Sequence, residues 1–368
     1  MSRPEIAAGD RIVVKVGSAS LVGTGGEPDA GRLDELCTGL GELHDRGVHP
    51  VMVSSGAIAA GLGPLGLLRR PADIPSLQAA AAVGQRLLLG AYAELLRARG
   101  IVAAQVLLTR YDFMHRQQYL NARNTLDRLL GLRALPVVNE NDTVAVDEIR
   151  FGDNDMLGAL VANITKAKLL VLLTDAQGLH AADPRLDPGA PLIDEVERIT
   201  PELEKAAGGR GSEHSSGGMA SKIAAAWVAT FSGVGVVVAD ASEPDVLVRI
   251  GEGESLGTYF HPRPKRATAR RLWIAFARPP TGTVTVDDGA RKAVVEDKRS
   301  LLPAGVTGIS GKFETGDAVD VRVADGGVFA RGLVRYSSEE LEGARGRSTA
   351  HFAGREVIHR DQLVVLED

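Results

Sequence analysis

Short apolar segments alternate with longer segments of helical periodicity as far as residue 262. The apolar segments are rich in Val and Leu along their length, as strands are when both faces of a sheet are covered. Strand and helix repetition of this kind predicts a mainly parallel sheet, because parallel neighbours need a crossover that a helix commonly provides. We therefore expect an α/β fold, a three-layer αβα sandwich. The predicted strands are 11–16, 48–53, 101–107, 135–138, 169–173 and 234–239, and the predicted helices are 32–46, 77–99, 118–130 and 219–231.

The pattern changes after residue 262. Residues 261–280 contain six basic residues, four prolines and no acidic residue, a composition typical of an interdomain linker. From Thr281 onward, short β-like segments are separated by Gly-Asp and Asp-Gly turns, which predict a small, mainly β barrel. We expect domains over 1–262 and 281–368, joined by a basic linker over 263–280.

Composition excludes several classes of protein. The chain has 368 residues, a mean hydropathy of +0.01 and no apolar segment long enough to span a membrane, so we expect a cytoplasmic globular protein. The N-terminus lacks the pattern of a signal peptide. A net charge of −5 argues against a protein built mainly to coat nucleic acid. The single cysteine, Cys37, excludes an internal disulfide, and its helical spacing from neighbouring leucines favours a buried structural thiol.

Polar residues follow four of the predicted strands at the point where each strand ends. Ligands of parallel α/β sheets bind beyond the carboxyl ends of the strands, so four such segments together predict a site. Any one of them alone is an ordinary turn. The segments are Lys15 to Ser18, Ser54 to Gly56, Asn139 to Asp142, and Thr174 with Asp175.

Two lysines are the strongest candidates for anion binding. Lys15 interrupts an apolar strand, where a desolvated ammonium group is costly without an anionic partner; the alternative is an edge strand with the lysine in solvent. The following Gly17 favours a ligand, because glycine allows close approach of the backbone. Lys222 belongs to the segment GGMASK, whose glycines leave helical N–H groups free to receive a phosphate; the alternative is a flexible loop with a solvated lysine.

Well-known nucleotide-binding, kinase and metal-binding motifs are either absent or lack the sequence context that their function requires. The GxGxxG of residues 61–66 contains a proline and lacks the later acidic residue of a dinucleotide site. No GxxxxGK[ST] is present, His359-Arg360-Asp361 has no DFG after it, and the eight histidines show no metal-ligand spacing. We predict no metal-ligating residue, and any nucleotide must be held by another phosphate cradle.

Six segments together resemble the glutamate 5-kinase family of the amino acid kinase superfamily, in order and spacing, over the first ~262 residues. They are KVGSASL, SSGAIAAG, NEND, GDND, LLTDAQGLHAADPR and GGMASK. The trailing β segments resemble a PUA domain. The resemblance implies the amino acid kinase fold, a homo-oligomer, and phosphorylation of the γ-carboxylate of L-glutamate by ATP with Mg²⁺. That reaction is the first step of proline biosynthesis, and the resemblance also implies feedback inhibition by proline.

The resemblance also implies which residues bind each substrate. Three departures from the family pattern are Ala19, Ser215 with Ser216, and His180. The ATP side comprises Lys15, Gly17, Thr174, Asp175, Ser216, Gly217, Gly218, Met219, Ala220, Ser221 and Lys222, and the glutamate side comprises Ser55, Asp142 and Asn154.

The acidic segment 139–155 contains six acidic residues, and a solvated loop is the common fate of such a cluster. With a kinase in view, we expect Asp155 to hold the catalytic Lys15 and Lys222 together, Asp142 to accept the glutamate amino group, and Asn154 to position the substrate. For Asp147, Glu148 and Asp153 we favour loop solvation, and a substrate or proline contact at Asp153 stays open.

Two alternatives compete with this hypothesis. One is a related amino acid or carbamate kinase, since several of the motifs are shared. The other is RNA binding or modification through the PUA-like domain, although residues 281–368 carry twelve basic and fifteen acidic residues, which weakens nonspecific affinity for RNA.

Overall fold

A computed structural model of the chain divides into two compact units, Met1–Arg266 and Ala267–Asp368. Each unit has its own sheet and hydrophobic core. The structure describes residues 3–23, 27–144, 154–184, 186–187, 189–200, 203, 218–264, 269–272, 274–275, 280–344 and 356–366.

The described part of the first unit is built on an eight-stranded sheet in the order β3-β4-β2-β1-β5-β7-β8-β6. The first six strands in this order are parallel, β8 is antiparallel to β7, and β6 is parallel to β8. The mainly parallel sheet predicted from the sequence is confirmed. The strands are β1 (Arg11–Val16), β2 (His49–Val53), β3 (Ala103–Leu108), β4 (Leu135–Glu140), β5 (Leu169–Thr174), β6 (Glu195–Val196), β7 (Gly235–Asp240) and β8 (Thr258–Phe260).

Helices cover both faces of this sheet. One face is apolar: Ile12, Val14 and Val16 of β1 pack there against leucines of α1, α3 and α8. Residues of opposite parity on β1 point to the other face, where α6 and α7 pack against each other. The helices are α1 (Ala30–Asp45), α2 (Ala57–Leu62), α3 (Ile74–Ala98), α4 (Arg110–Met114), α5 (Arg116–Gly131), α6 (Asn154–Ile164), α7 (Met219–Phe231) and α8 (Val246–Gly251).

The structure gives the rejected GxGxxG segment a packing role. Its first glycine, Gly61, lies where α2 crosses α3, and a Cβ there would come within 1.8 Å of the carbonyl oxygen of Ala80. Reciprocally, a Cβ on Gly84 of α3 would come within 1.8 Å of the carbonyl oxygen of Ala57. Glycine at both positions therefore lets the two backbones touch. This contact fixes α2 directly behind the polar segment that ends β2.

The second unit contains a five-stranded sheet in the order β10-β9-β11-β12-β13 within its described residues. Its core includes Phe313, Phe329 and Leu341. The sequence gives little strand signal for β10, because its segment VTGISG has two glycines and a serine in place of an apolar period. The elements are α9 (Ala269–Leu272), β9 (Gly282–Val286), α10 (Asp288–Val295), β10 (Val306–Gly311), β11 (Ala318–Val323), β12 (Val328–Leu333), α11 (Ser338–Ala344) and β13 (Leu363–Val365).

Two findings bear on expectations from composition. Cys37 is buried in the core of the first unit, where burial raises the pKa of its thiol to about 12, as a structural cysteine requires. Across the described ranges, none of the helices has the length and apolar character needed to cross a bilayer.

Gly84→Ala should destabilise the first unit by roughly 1–3 kcal/mol, because the new methyl group meets a backbone carbonyl that cannot move aside. The matched control is Gly90→Ala in the same helix, where a Cβ has no neighbour within 4 Å. This control should stabilise by up to about 1 kcal/mol through helix propensity. Urea unfolding of both variants checks the prediction, which equal effects from the two substitutions would contradict.

Candidate active site

A buried ion cluster lies beneath the carboxyl ends of the central strands. Asp155, in the first turn of α6, is fully buried. Its Oδ1 lies 2.6 Å from the Nζ of Lys15, and its Oδ2 lies 3.3 Å from the Nζ of Lys222. Ser221 donates a hydrogen bond from Oγ to the same Oδ2 at 2.8 Å. One carboxylate therefore holds two ammonium groups, one on each oxygen.

Three elements bring these charges together: Lys15 is on β1, Asp155 on α6 and Lys222 on α7. Lys15 lies near the end of β1, between Val53 of β2 and Leu172 of β5, so it is on a central strand and not on an edge. Its side chain points to the face covered by α6, where Gly158 lies one turn beyond Asp155. A Cβ on Gly158 would come within 3.3 Å of the Lys15 Cβ, so α6 runs directly over the lysine stem.

The electrostatics of Asp155 follow from its partners. Burial is the largest influence and by itself raises the pKa of the carboxyl group. The charges of Lys15 and then Lys222, with hydrogen bonds from Lys15 and Ser221, outweigh burial and hold that pKa below its ordinary value. Asp155 is therefore ionised at neutral pH. The two lysines, 5% and 4% exposed, are too deeply buried for solvent to screen the cluster.

Asn154 joins the ion cluster to the neighbouring strand ends. Its Nδ2 lies 2.6 Å from the carbonyl oxygen of Ser54, 3.2 Å from the Oγ of Ser55 and 2.8 Å from the Oδ1 of Asn139. The structure thus brings together Asn154 and Ser55, both expected on the glutamate side. Asp142, also expected there, lies half-buried in the turn after β4.

The residues expected on the ATP side occupy neighbouring positions along the same edge. Thr174 is buried at the end of β5, and its Oγ1 donates to the carboxylate of the exposed Asp175 at 3.1 Å. Both line a cavity of about 670 Å³ that extends toward α1 and the segment after β7. Lys15, Asp155 and Lys222 are not among the residues that line this cavity, although Val16, the residue after Lys15, is.

Gly17 follows β1 in an extended conformation, with φ −71° and ψ 155°, which any residue can adopt. A Cβ on it would meet only the carbonyl oxygen of Leu173, at an ordinary contact distance of 3.8 Å. Neither backbone strain nor contact with the described protein atoms therefore requires glycine at this position.

The N-terminus of α7 has the form expected of an anion-binding helix end. Gly218 is the N-cap in an extended conformation, and as a glycine it has no side chain with which to cap the helix. Met219, Ala220, Ser221 and Lys222 form the first turn. Ser216, Gly217, Asp147, Glu148 and Asp153 lie outside the described residues.

Sequence reasoning did not single out four residues around the site: Gln85, Tyr92, Asn139 as an individual side chain, and Gly158. Gln85 and Tyr92 are both buried on α3, seven residues apart and hence on one helical face. A polar residue within an amphipathic helix carries little signal, because its partners on other strands are not visible in the pattern. Asn139 lies within the acidic segment 139–155, where the residue pattern pointed to roles for the carboxylates and not for the Asn139 side chain.

Comparisons with known proteins match both units. The model of the amino acid kinase family matches residues 10–240, and that of the PUA domain matches residues 282–353. The glutamate 5-kinase of Geobacter sp. (strain M21) is 47% identical over 363 residues, which cover 97% of this chain and 97% of that protein. Glutamate 5-kinases of Syntrophotalea carbinolica and Salinispora arenicola are 46% and 48% identical, and they cover 96% and 99% of this chain. The matches cover 97% and 100% of those two proteins.

Asp155→Asn should cost about 3–5 kcal/mol of stability at pH 7, because it leaves two buried ammonium groups without their carboxylate. The folded-state pKa of Asp155 is lowered, so its contribution is present above the unfolded-state pKa of about 3.9 and declines as pH falls below it. The stability difference between wild type and variant should therefore shrink between pH 4 and pH 3.

Urea unfolding at pH 7, 4 and 3 measures this difference. The matched control is Asp45→Asn, at a carboxylate whose side chain is 78% exposed, and it should change stability little at any pH. A difference for Asp155→Asn that stays constant down to pH 3 would contradict the assignment of an ionised, lysine-bound carboxylate.

Proposed function

The chain belongs to the glutamate 5-kinase family of amino acid kinases, and from this premise we propose that it phosphorylates the γ-carboxylate of L-glutamate with ATP. The product would be L-glutamyl 5-phosphate, the first intermediate of proline biosynthesis. The observation that carries the proposal is the pair of buried lysines on Asp155, adjacent to Asn154 at the carboxyl edge of the sheet.

The chemistry needs cations more than it needs a base. A glutamate γ-carboxylate has an ordinary pKa of about 4.3, so at neutral pH it is already an ionised nucleophile. Its oxygen would form a bond to the γ-phosphorus as the bond from that phosphorus to the bridging oxygen breaks, and ADP would leave with the electron pair. No proton moves in this step. The barrier comes from bringing an anion to an anionic phosphoryl group, whose oxygens carry the redistributing charge.

Lys15 and Lys222 are suited to that charge. They are buried, they come from two different elements, and they meet at one carboxylate. Two ammonium groups on one carboxylate leave one net positive charge, which is available to the transferring phosphoryl group. Asp155 is a positioning residue in this scheme: it overcomes the repulsion between the lysines and keeps both aimed at the same place.

The ATP-side residues fit a triphosphate. The N-terminus of α7, which begins after the N-cap Gly218, would offer backbone N–H groups beside Ser221 and Lys222 to phosphate oxygens. Gly17 fits the same interpretation, because no described contact needs glycine there and close approach of a ligand does.

Mg²⁺ would neutralise phosphate charge when bound with the nucleotide. It would arrive bound to the phosphates, so it would need few protein ligands, and we assign none to it. Among the described residues, no cluster of three or more His, Cys, Asp or Glu is arranged to hold a metal.

The glutamate side rests on Asn154, Ser55 and Asp142. Asn154 and Ser55 lie within hydrogen-bond distance of each other, next to the ion cluster. Asp142 follows the neighbouring strand β4 and would accept the substrate ammonium group. We also propose inhibition by proline and a homo-oligomeric state, both supported by family membership. The PUA match supports RNA as a second candidate ligand of the chain, which loss of RNA binding on deleting residues 263–368 would test.

The purified chain should release ADP with L-glutamate, and hydroxylamine should trap the acyl phosphate as a hydroxamate. Aspartate, N-acetylglutamate and carbamate should give little product, and added proline should lower the rate with glutamate. Preference for another acceptor would refute the proposed substrate, while undiminished activity at saturating proline would refute inhibition alone.

Lys222→Met and Asp155→Asn should each lower kcat on the order of 10²-fold or more. The first removes one of the cations that compensate charge at the phosphoryl group, and the second removes the carboxylate that positions both lysines. Asp142→Ala should instead raise the glutamate KM and leave kcat less affected, because it removes a contact made before the reaction. The matched control is Lys166→Met, an exposed lysine just beyond α6, which should behave as wild type. Near-normal kcat in Asp155→Asn, or unchanged KM in Asp142→Ala, would remove the respective role.

A further inference from the structure

We propose that Gln85, a buried residue of α3, is a positioning residue that sets the affinity for the amino-acid substrate by fixing the amide groups of Asn139 and Asn154. This inference rests on the proposed function. Gln85 is 9% exposed and lies on a helix that contributes no charged residue to the ion cluster. Its side chain nevertheless reaches the end of β4 at the site.

Both ends of the Gln85 amide are engaged by consecutive residues of β4. Its Nε2 donates to the carbonyl oxygen of Glu140 at 3.1 Å, and its Oε1 accepts from the Nδ2 of Asn139 at 3.2 Å. A rotated amide would place its nitrogen against the Asn139 nitrogen and its oxygen against the Glu140 carbonyl oxygen. Gln85 therefore has one favourable orientation.

This orientation determines how Asn139 is turned. Because the Nδ2 of Asn139 is engaged by Gln85, its Oδ1 faces the other way. There it accepts from the backbone N–H of Glu140 at 2.9 Å and from the Nδ2 of Asn154 at 2.8 Å. Asn139 is 4% exposed, so water cannot replace these partners. If the Asn139 amide rotated, two nitrogen donors would face each other between strand β4 and helix α6.

The orientation of Asn154 follows from that of Asn139. Its Nδ2 is directed at three protein acceptors, on Asn139, Ser54 and Ser55. The Oδ1 is then the atom of this amide that is presented as an acceptor to a substrate donor. A chain of three amides thus carries the orientation set on α3 to the residue next to Asp155.

A second side chain of the same helical face supports the neighbouring strand. The hydroxyl of Tyr92 lies 3.0 Å from the Oγ of Ser54, whose carbonyl oxygen accepts from Asn154. Burial raises the pKa of Tyr92 above its ordinary value, so the hydroxyl keeps its proton and can donate. The described hydrogen bond of Tyr92 joins Ser54 and not the Asn139 amide, which makes Tyr92 a useful comparison.

The experiment measures glutamate KM, ATP KM, kcat and melting temperature for Gln85→Met, Gln85→Glu and the matched control Arg86→Met. Gln85→Met keeps the side-chain length and loses both hydrogen bonds. Gln85→Glu keeps an acceptor for Asn139 but places a carboxylate oxygen against the carbonyl of Glu140. Arg86 is the next residue on α3 and is exposed. Both Gln85 variants should raise the glutamate KM about tenfold while ATP KM and kcat change by about twofold or less.

A purely structural role for Gln85 would lower the melting temperature and leave the glutamate KM unchanged, or would raise the KM values for both substrates together. Either result would overturn the inference. If Gln85→Met does not fold, Gln85→Glu gives the same reading. Tyr92→Phe is the comparison, and it should raise the glutamate KM less than Gln85→Glu does. Wild-type turnover decides the proposed function separately: if another acid is the substrate, the KM ratio is measured with that acid.

Discussion

The site depends on one carboxylate that is shared by two buried ammonium groups. Neither lysine could be buried where it is without Asp155, because an unpaired ammonium in an apolar layer is costly to desolvate. The charges of Lys15 and then Lys222, with hydrogen bonds from Lys15 and Ser221, in turn hold the pKa of Asp155 below its ordinary value against its own desolvation. The cluster is therefore complete only when β1, α6 and α7 are all in place.

The two faces of the first sheet have different tasks. One face of β1 carries Ile12, Val14 and Val16 into an apolar core with α1, α3 and α8, which fixes the strand. The other face carries Lys15 toward α6, where Gly158 provides the room for its stem. Because side chains alternate between the two faces of a strand, β1 packs into the core on one face and presents the charge of Lys15 on the other. Gln85 of α3 then makes polar contacts at the carboxyl end of β4.

Much of the fold, and the unusual position of Lys15, could be predicted from the sequence. The buried strands were found within two residues of their observed bounds, because near-continuous apolar segments have few other uses. Lys15 stood out because it violates that pattern, and the structure removes the edge-strand alternative. The strands β6 and β8, of two and three residues, and the short helix α2 were missed because a few residues show no period. Gln85 was missed for a different reason: its partners on β4 come from 54 and 55 residues further along the chain, and only the fold identifies them.

The members of the ion cluster are widely separated in sequence. Lys15 and Asp155 are 140 residues apart, and a further 67 residues separate Asp155 from Lys222. Closing loops of this length costs chain entropy, which the contacts of the cluster must offset. Lys222 lies on α7 and is the last member of the cluster along the chain, so the complete cluster can form only after α7 has been synthesised. A chain that ends before α7 therefore lacks one of the two ammonium groups that are proposed to act on the triphosphate.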